Sequence, residues 1–214
     1  MKSLDDAVRY AAKCTEVSRG YMDYVAHLLA GLDFSAVERF ASILQRAREQ
    51  ERAVFIAGNG GSAATASHFA NDLAWGTRAR EVPPMRAISL AANVPVLTAL
   101  ANDAGYENAF VEQMRGLFRP GDVLVAISAS GNSENVLRAV QYANEQGGIS
   151  VGLVGFDGGK IKTLCRECIH VETNRGEYCP VEDVHLAICH AVTTYLRRLA
   201  AGDEPARTGV ADSK

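Results

Sequence analysis

His68 and Asp72 stand four residues apart in a stretch patterned as a helix, so both side chains leave one face. That spacing suits two ligands of a single metal ion. The same helix opens near Ser62, directly after the turn Gly58-Asn59-Gly60-Gly61 and the apolar run Ala53-Val54-Phe55-Ile56-Ala57. A glycine turn between strand and helix aims backbone N–H groups at one point, and the helix dipole adds positive potential there. Phosphate is the natural occupant. An anion cradle and a metal site on one helix imply chemistry on a phosphorylated small molecule.

A second unit repeats the arrangement. Val123-Leu-Val-Ala-Ile-Ser128 reads as a buried strand, and its turn carries Ser128, Ser130, Gly131, Asn132 and Ser133 before another helical pattern. A helix N-cap would use one serine. Three hydroxyls within six residues exceed that need and can wrap a phosphate without lysine. Nucleotide readings fit poorly: Gly58-x-Gly60-x-x-Ala63 lacks an acid closing the second strand, and neither loop contains Gly-Lys-Ser/Thr.

A C-terminal helix begins near Cys179-Pro180-Val181-Glu182-Asp183 and continues to His185 and His190. Acids in a first turn after proline are ordinary dipole chemistry. Seven residues nearly complete two helical turns, so Asp183 aligns with His190 better than Glu182 does, and spacing alone leaves both open. Cys165-x-x-Cys168-x-His170, with Cys179, resembles half a zinc knuckle, but core packing of the thiols is the favoured reading. Asn102-Asp103 reads as a loop between two helices.

These residues must be positioned by the rest of the chain. Its 214 residues, 48% hydrophobic and 22% charged, suffice for one large domain with a full core. A net charge of −3 without a basic cluster argues against nucleic acid. No apolar run nears the ~20 residues of a membrane span, and the first residues lack the apolar segment of a signal peptide. Five cysteines, an odd set, favour reduced thiols in a cytoplasm.

Apolar strands are expected at 53–57, 87–90, 123–127, 151–154 and 168–172. Helices are expected at 62–75, 94–101, 107–117, 133–146 and 181–200. Such alternation predicts an α/β fold with a parallel sheet covered on both faces. Residues 1–50 read as an N-terminal helical extension, broken near Gly20 and Gly31, with Ser35-Ala-Val-Glu38 as a capping box. The core domain spans 51–201, and 202–214 reads as a disordered tail.

Over nearly its whole length the chain resembles the SIS (sugar isomerase) domain, and within it the phosphoheptose isomerase family. The matching pieces are Gly58-Asn-Gly-Gly-Ser62, His68-Phe-Ala70, Asn102-Asp103, Gly121-Asp-Val-Leu124, Ser128 through Ser133, Asp157-Gly-Gly159 and the closing helix from Glu182 to His190. The resemblance implies a SIS fold with a five-stranded parallel sheet. It also implies one Zn2+ per subunit held by His68, Asp72, Glu182 and His190, with Glu182 at the position of a family glutamine.

The implied reaction interconverts sedoheptulose 7-phosphate and D-glycero-D-manno-heptose 7-phosphate through an enediol, with Asp72 as base and His190 as acid. Substrate would be held by Asn59, Gly60, Gly61, Ser62, Asn102, Asp103, Ser128, Ala129, Ser130, Ser133 and Glu182. A homotetramer is implied as well, with the helices of residues 1–50 packing on the core and between subunits. The cytoplasm and the lack of nucleic-acid or membrane partners rest on the cysteines, charge and hydropathy above.

The chain departs from the family pattern at its site: Asp72 replaces glutamate, Glu182 replaces glutamine, Ala129 replaces threonine, Gly76 replaces arginine and Cys179 replaces aspartate. Two alternatives follow. One is an isomerase of a different seven- or eight-carbon sugar phosphate. The other is a non-catalytic SIS phosphosugar-binding or regulatory protein, of the type that associates with a replication initiator.

Overall fold

A computed structural model describes residues 3–80 and 82–202. The expected tail lies, from residue 203 on, outside the described residues. Five parallel strands form one sheet in the order β2-β1-β3-β4-β5: β1 Ala53–Ala57, β2 Arg86–Ser89, β3 Val123–Ser128, β4 Ile149–Val154 and β5 Glu167–His170. The helices are α1 Leu4–Val8, α2 Cys14–Ala30, α3 Phe34–Glu49, α4 Gly61–Asn71, α5 Val94–Ala104, α6 Ala109–Leu117, α7 Glu134–Glu145, α8 Ile161–Leu164 and α9 Tyr178–Ala200.

The central strands are apolar throughout because both faces are covered. Val54 and Ile56 of β1 share one side with Val123, Val125 and Ile127 of β3, packed under Phe40 and Leu44 of α3, Phe69 of α4 and Val184 of α9. Phe55, Leu124 and Ala126 point the other way, onto Phe110 and Met114 of α6 and Val136 and Val140 of α7. Each large apolar side chain so buried contributes about 1.5–3 kcal/mol. Asp122 joins the lower ends of the central strands: its carboxylate accepts from Ala53 N at 2.8 Å and from Arg119 N at 2.8 Å.

This strand order decides where a ligand can go. β1 and β3 are neighbours whose exits lead to helices on opposite faces, so their C-terminal ends flank a crevice at the topological switch point. Both motifs singled out from the sequence sit there.

The N-terminal region differs from expectation. Gly31 caps the end of α2 as expected, but the other break falls between α1 and α2, at residues 9–13, and Gly20 lies inside α2. A Cβ at Gly20 would stand 2.4 Å from Ala7 O, so the glycine serves the close packing of α1 on α2. The cap of α3 is Asp33, whose Oδ1 accepts from Ser35 N and Ala36 N at 2.9 and 3.2 Å, and not a box built on Ser35. Capping at Asp33 starts the helix at Phe34 and puts Ser35 inside its first turn, where it is no longer at the cap position.

α1 and α2 also hold the start of α9. Leu4 N and Tyr24 Oη donate to the Glu177 carboxylate at 2.9 and 2.7 Å, and Tyr21 Oη donates to Asp183.

Candidate active site

The first loop needs its glycines for contact. A Cβ at Gly58 would meet Ser62 O at 2.6 Å, and Gly60 has φ +55. Gly60 caps α4 with no side-chain acceptor, and Ala63 N donates back to Asn59 O and Gly60 O, so it is the Gly61 and Ser62 N–H groups that are available to an anion. Gly61 admits a third approach: Glu182 Oε2 of α9 lies where its Cβ would be, 2.1 Å from that point.

The second loop follows β3. Ser128 Oγ lies 3.5 Å from Ser130 Oγ and 3.3 Å from Ser133 Oγ, so the three hydroxyls cluster. Gly131, with φ +62, is pressed against Gly158, whose carbonyl oxygen is 2.0 Å from the position of a Gly131 Cβ. Gly155 N donates to Ala129 O and Ile161 N to Gly131 O, both at 3.0 Å, so the loop after β4 backs the serine loop.

Between the loops lies a cavity of about 130 Å³, lined by Asn59, Ser62, Ser128, Ala129, Ser130 and Ser133, with Ile127, Tyr178 and Glu182 completing it. Among the described residues no lysine or arginine lines it, and Glu182 is its one charged group. Burial, then the neighbouring Asp183, pushes the Glu182 carboxyl above the ordinary carboxylate range.

α4 and α9 pack together and carry a second cluster farther along. His68 Nε2, His190 Nε2 and Asp72 Oδ2 converge: His68 to His190 is 3.2 Å, His68 to Asp72 is 3.5 Å and His190 to Asp72 is 3.8 Å. They form the only such His/Cys/Asp/Glu group among the described residues. Ligands held at 2.0–2.1 Å in a tetrahedral zinc site lie about 3.4 Å from one another, so these separations fit one metal ion. Asp72 begins a π turn, Asp72–Gly76, that widens the helix at the site. Both histidine side chains are 48% exposed, so the cluster is open to a small molecule.

Glu182 stands apart from that cluster, on Gly61 in the serine-lined cavity. Eight residues overshoot two turns by about 80°, which turns Glu182 away from His190. Asp183, better aligned by spacing, is taken by the Tyr21 hydroxyl. Asn102 and Asp103 lie in the last turn of α5 and not in a loop, exposed and bonded to each other at 2.8 Å, and neither lines the cavity.

Among the described residues Cys165, Cys168, His170 and Cys179 form no metal cluster. Cys165 and Cys168 pack against the core, and burial pushes their thiols up to about 12 and about 11.

Sequence reasoning passed over Tyr106, Asn135 and Tyr178. Asn135, 2% exposed, bonds Asn59, and Tyr106 Oη donates to Asn59 Oδ1 at 2.7 Å. Nothing in their local sequence marks them, because their partners come from distant segments.

Comparison with known proteins shows the family and the fold. The SIS domain family matches residues 20–155. The phosphoheptose isomerase of a Nitratiruptor species is 40% identical over 150 residues, 70% of this chain and 79% of that protein. That of Rhodospirillum rubrum is 39% identical over 155 residues, 72% of this chain and 81% of that protein. The structure of phosphoheptose isomerase from Neisseria gonorrhoeae superposes with TM-score 0.77 at 28% identity, covering 86% of this chain and 98% of that one.

Proposed function

Because this chain belongs to the SIS-domain family, within its phosphoheptose isomerase group, we propose that it interconverts sedoheptulose 7-phosphate and D-glycero-D-manno-heptose 7-phosphate. One observation carries the reading: α4 and α9 both start at the serine-lined cavity and both run on to the His–Asp–His cluster. Ser62 to His68 spans about 9 Å along α4, and Glu182 to His190 about 12 Å along α9. A sugar phosphate with its phosphate in the cavity therefore extends its carbonyl end toward the cluster.

The serine hydroxyls and the free N–H groups of α4 bind the phosphate and fix the substrate's direction. Asp72 removes the proton from the carbon beside the carbonyl, giving a cis-enediol. His190, as the acid, gives a proton to the neighbouring carbon while the proton of one hydroxyl passes to the other oxygen, and Asp72 hands the proton it took to His190. His68, Asp72 and His190 are the residues that would hold Zn2+, and a bound zinc ion would supply electrostatic stabilisation of the enediolate charge. Asp72 is one methylene shorter than glutamate, so the distance it must reach sets the rate.

We assign the protein to the cytoplasm and to a homotetramer. Among the described residues no helix is long and apolar enough to cross a membrane. α5 supports assembly: it buries none of its residues and leaves Val94 and Val96 60% and 38% exposed, apolar surface that a second copy would cover.

Incubation of the zinc-loaded protein with sedoheptulose 7-phosphate in D2O, followed by NMR, tests the function. Aldoheptose 7-phosphate carrying deuterium at C2, lost on Asp72→Asn, is expected. Neither product nor exchange at confirmed zinc occupancy would leave a binding protein or an isomerase of another sugar phosphate.

A further inference from the structure

Asn59 sits in the glycine loop, yet its side chain is turned toward the protein. Its Nδ2 donates to Asn135 Oδ1 at 2.8 Å, and its Oδ1 accepts from Asn135 Nδ2 at 2.9 Å. The same Oδ1 accepts from Tyr106 Oη at 2.7 Å. Both lone pairs of the Asn59 carbonyl oxygen are thereby used, and one N–H is left for a ligand.

The two partners are themselves anchored. Asn135 lies in the first turn of α7, directly after the serine loop, and its Oδ1 also accepts from Val136 N at 3.0 Å. Tyr106 belongs to a 3-10 turn, Tyr106–Asn108, that Arg138 of α7 holds through Asn108 Oδ1 at 2.7 Å. Asn59 therefore joins the loop after β1 to the helix after β3, across the switch-point crevice.

We propose that Tyr106 and Asn135 are positioning residues for the substrate phosphate: through Asn59 they tie the two loops together and preform the cavity between them. The inference rests on the phosphosugar reading of that cavity. A preformed site avoids ordering two loops on binding, so the tie acts on affinity and leaves the proton-transfer groups on α4 and α9 undisturbed.

The test uses the full zinc-loaded chain with Tyr106→Phe, Asn135→Ala, Asn59→Ala and the double variant Tyr106→Phe/Asn59→Ala. Loss of one hydrogen bond in Tyr106→Phe is expected to raise KM for sedoheptulose 7-phosphate about 5-fold. Asn135→Ala is expected to raise it more, by about 10-fold, with kcat within about 2-fold of the wild type in both. In the Asn59→Ala background, Tyr106→Phe should have no further effect, since both act through one side chain.

A purely structural role would lower kcat through loss of folded enzyme and leave KM in place, which would overturn the proposal. So would unchanged constants, or additive effects in the double variant. Tyr106 is 49% exposed, so its variant folds even if Asn135→Ala does not.

Calorimetric titration of the same proteins with inorganic phosphate separates this inference from the isomerase reading. Wild-type phosphate binding weakened in Tyr106→Phe, without turnover of the heptose, sustains the tie and removes the isomerase. Wild-type protein that binds no phosphate removes the tie.

Discussion

The Nε2 atoms of His68 and His190 lie 3.2 Å apart although 122 residues separate them in the chain. Each is near Asp72 Oδ2 as well. Two imidazole nitrogens and a carboxylate facing one point make a poor hydrogen-bonded cluster, since one proton at most can lie between the rings. They make a good ligand set for a divalent cation.

His190→Ala should therefore weaken zinc binding at least about 100-fold and abolish isomerisation, while the thermal midpoint of the metal-free protein changes little. Competition with a chromogenic chelator measures the first effect. Zinc retained at wild-type affinity would place the metal elsewhere.

Glu182 brings a carboxylate into a cavity that should receive a phosphate dianion. Like charges at close range in a partly desolvated site repel, so Glu182→Gln should lower KM for the phosphosugar, by about 10-fold, at constant pH. Steady-state kinetics decides it. A higher KM would mean that Glu182 serves the substrate through its charge.

Gly131 is confined twice over, by φ +62 and by the carbonyl of Gly158. Gly131→Ala must shift one loop against the other, at a cost of about 2 kcal/mol or more. Urea unfolding should show that loss, together with weaker phosphate binding. A variant as stable as the wild type would show that the two loops move apart freely.

His185 is fully buried between α9 and the sheet, and burial lowers its pKa from 6.5 to about 4. Above pH 6.5 both folded and unfolded chains carry it neutral, so it adds no pH dependence. As pH falls from 6.5 toward 4 only the unfolded chain takes up the proton, and stability drops by roughly 3 kcal/mol over that window. His185→Leu should flatten this part of the stability–pH curve, measured by urea unfolding of the metal-free protein. An unchanged slope would assign it to other groups.

Much of the molecule was legible because its signals are local. The apolar run at 53–57 and the glycines after it could form only a buried strand and a tight turn, and both lie within a residue of where they were read. The 128–133 loop was legible for the same reason, since three hydroxyls so close in sequence stay close in space. His68 and Asp72 share a helix face by its period alone.

What could not be read depends on pairings between distant segments. That α9 lies against α4, bringing His190 to His68 and Glu182 to Gly61, follows from the strand order and from which face each helix covers. Helical spacing favoured Asp183 over Glu182 as the partner of His190, but the Tyr21 hydroxyl on α2 claims Asp183, and a helix wheel contains no α2. The pair Asn59–Asn135 is invisible for the same reason. Sequence by itself determined the strands, the turns and the chemistry each loop can do, because these follow from backbone sterics and side-chain period over a few residues. Tertiary packing alone decided which of those groups meet, because only burial of the helices on a sheet of this order sets the distance between them.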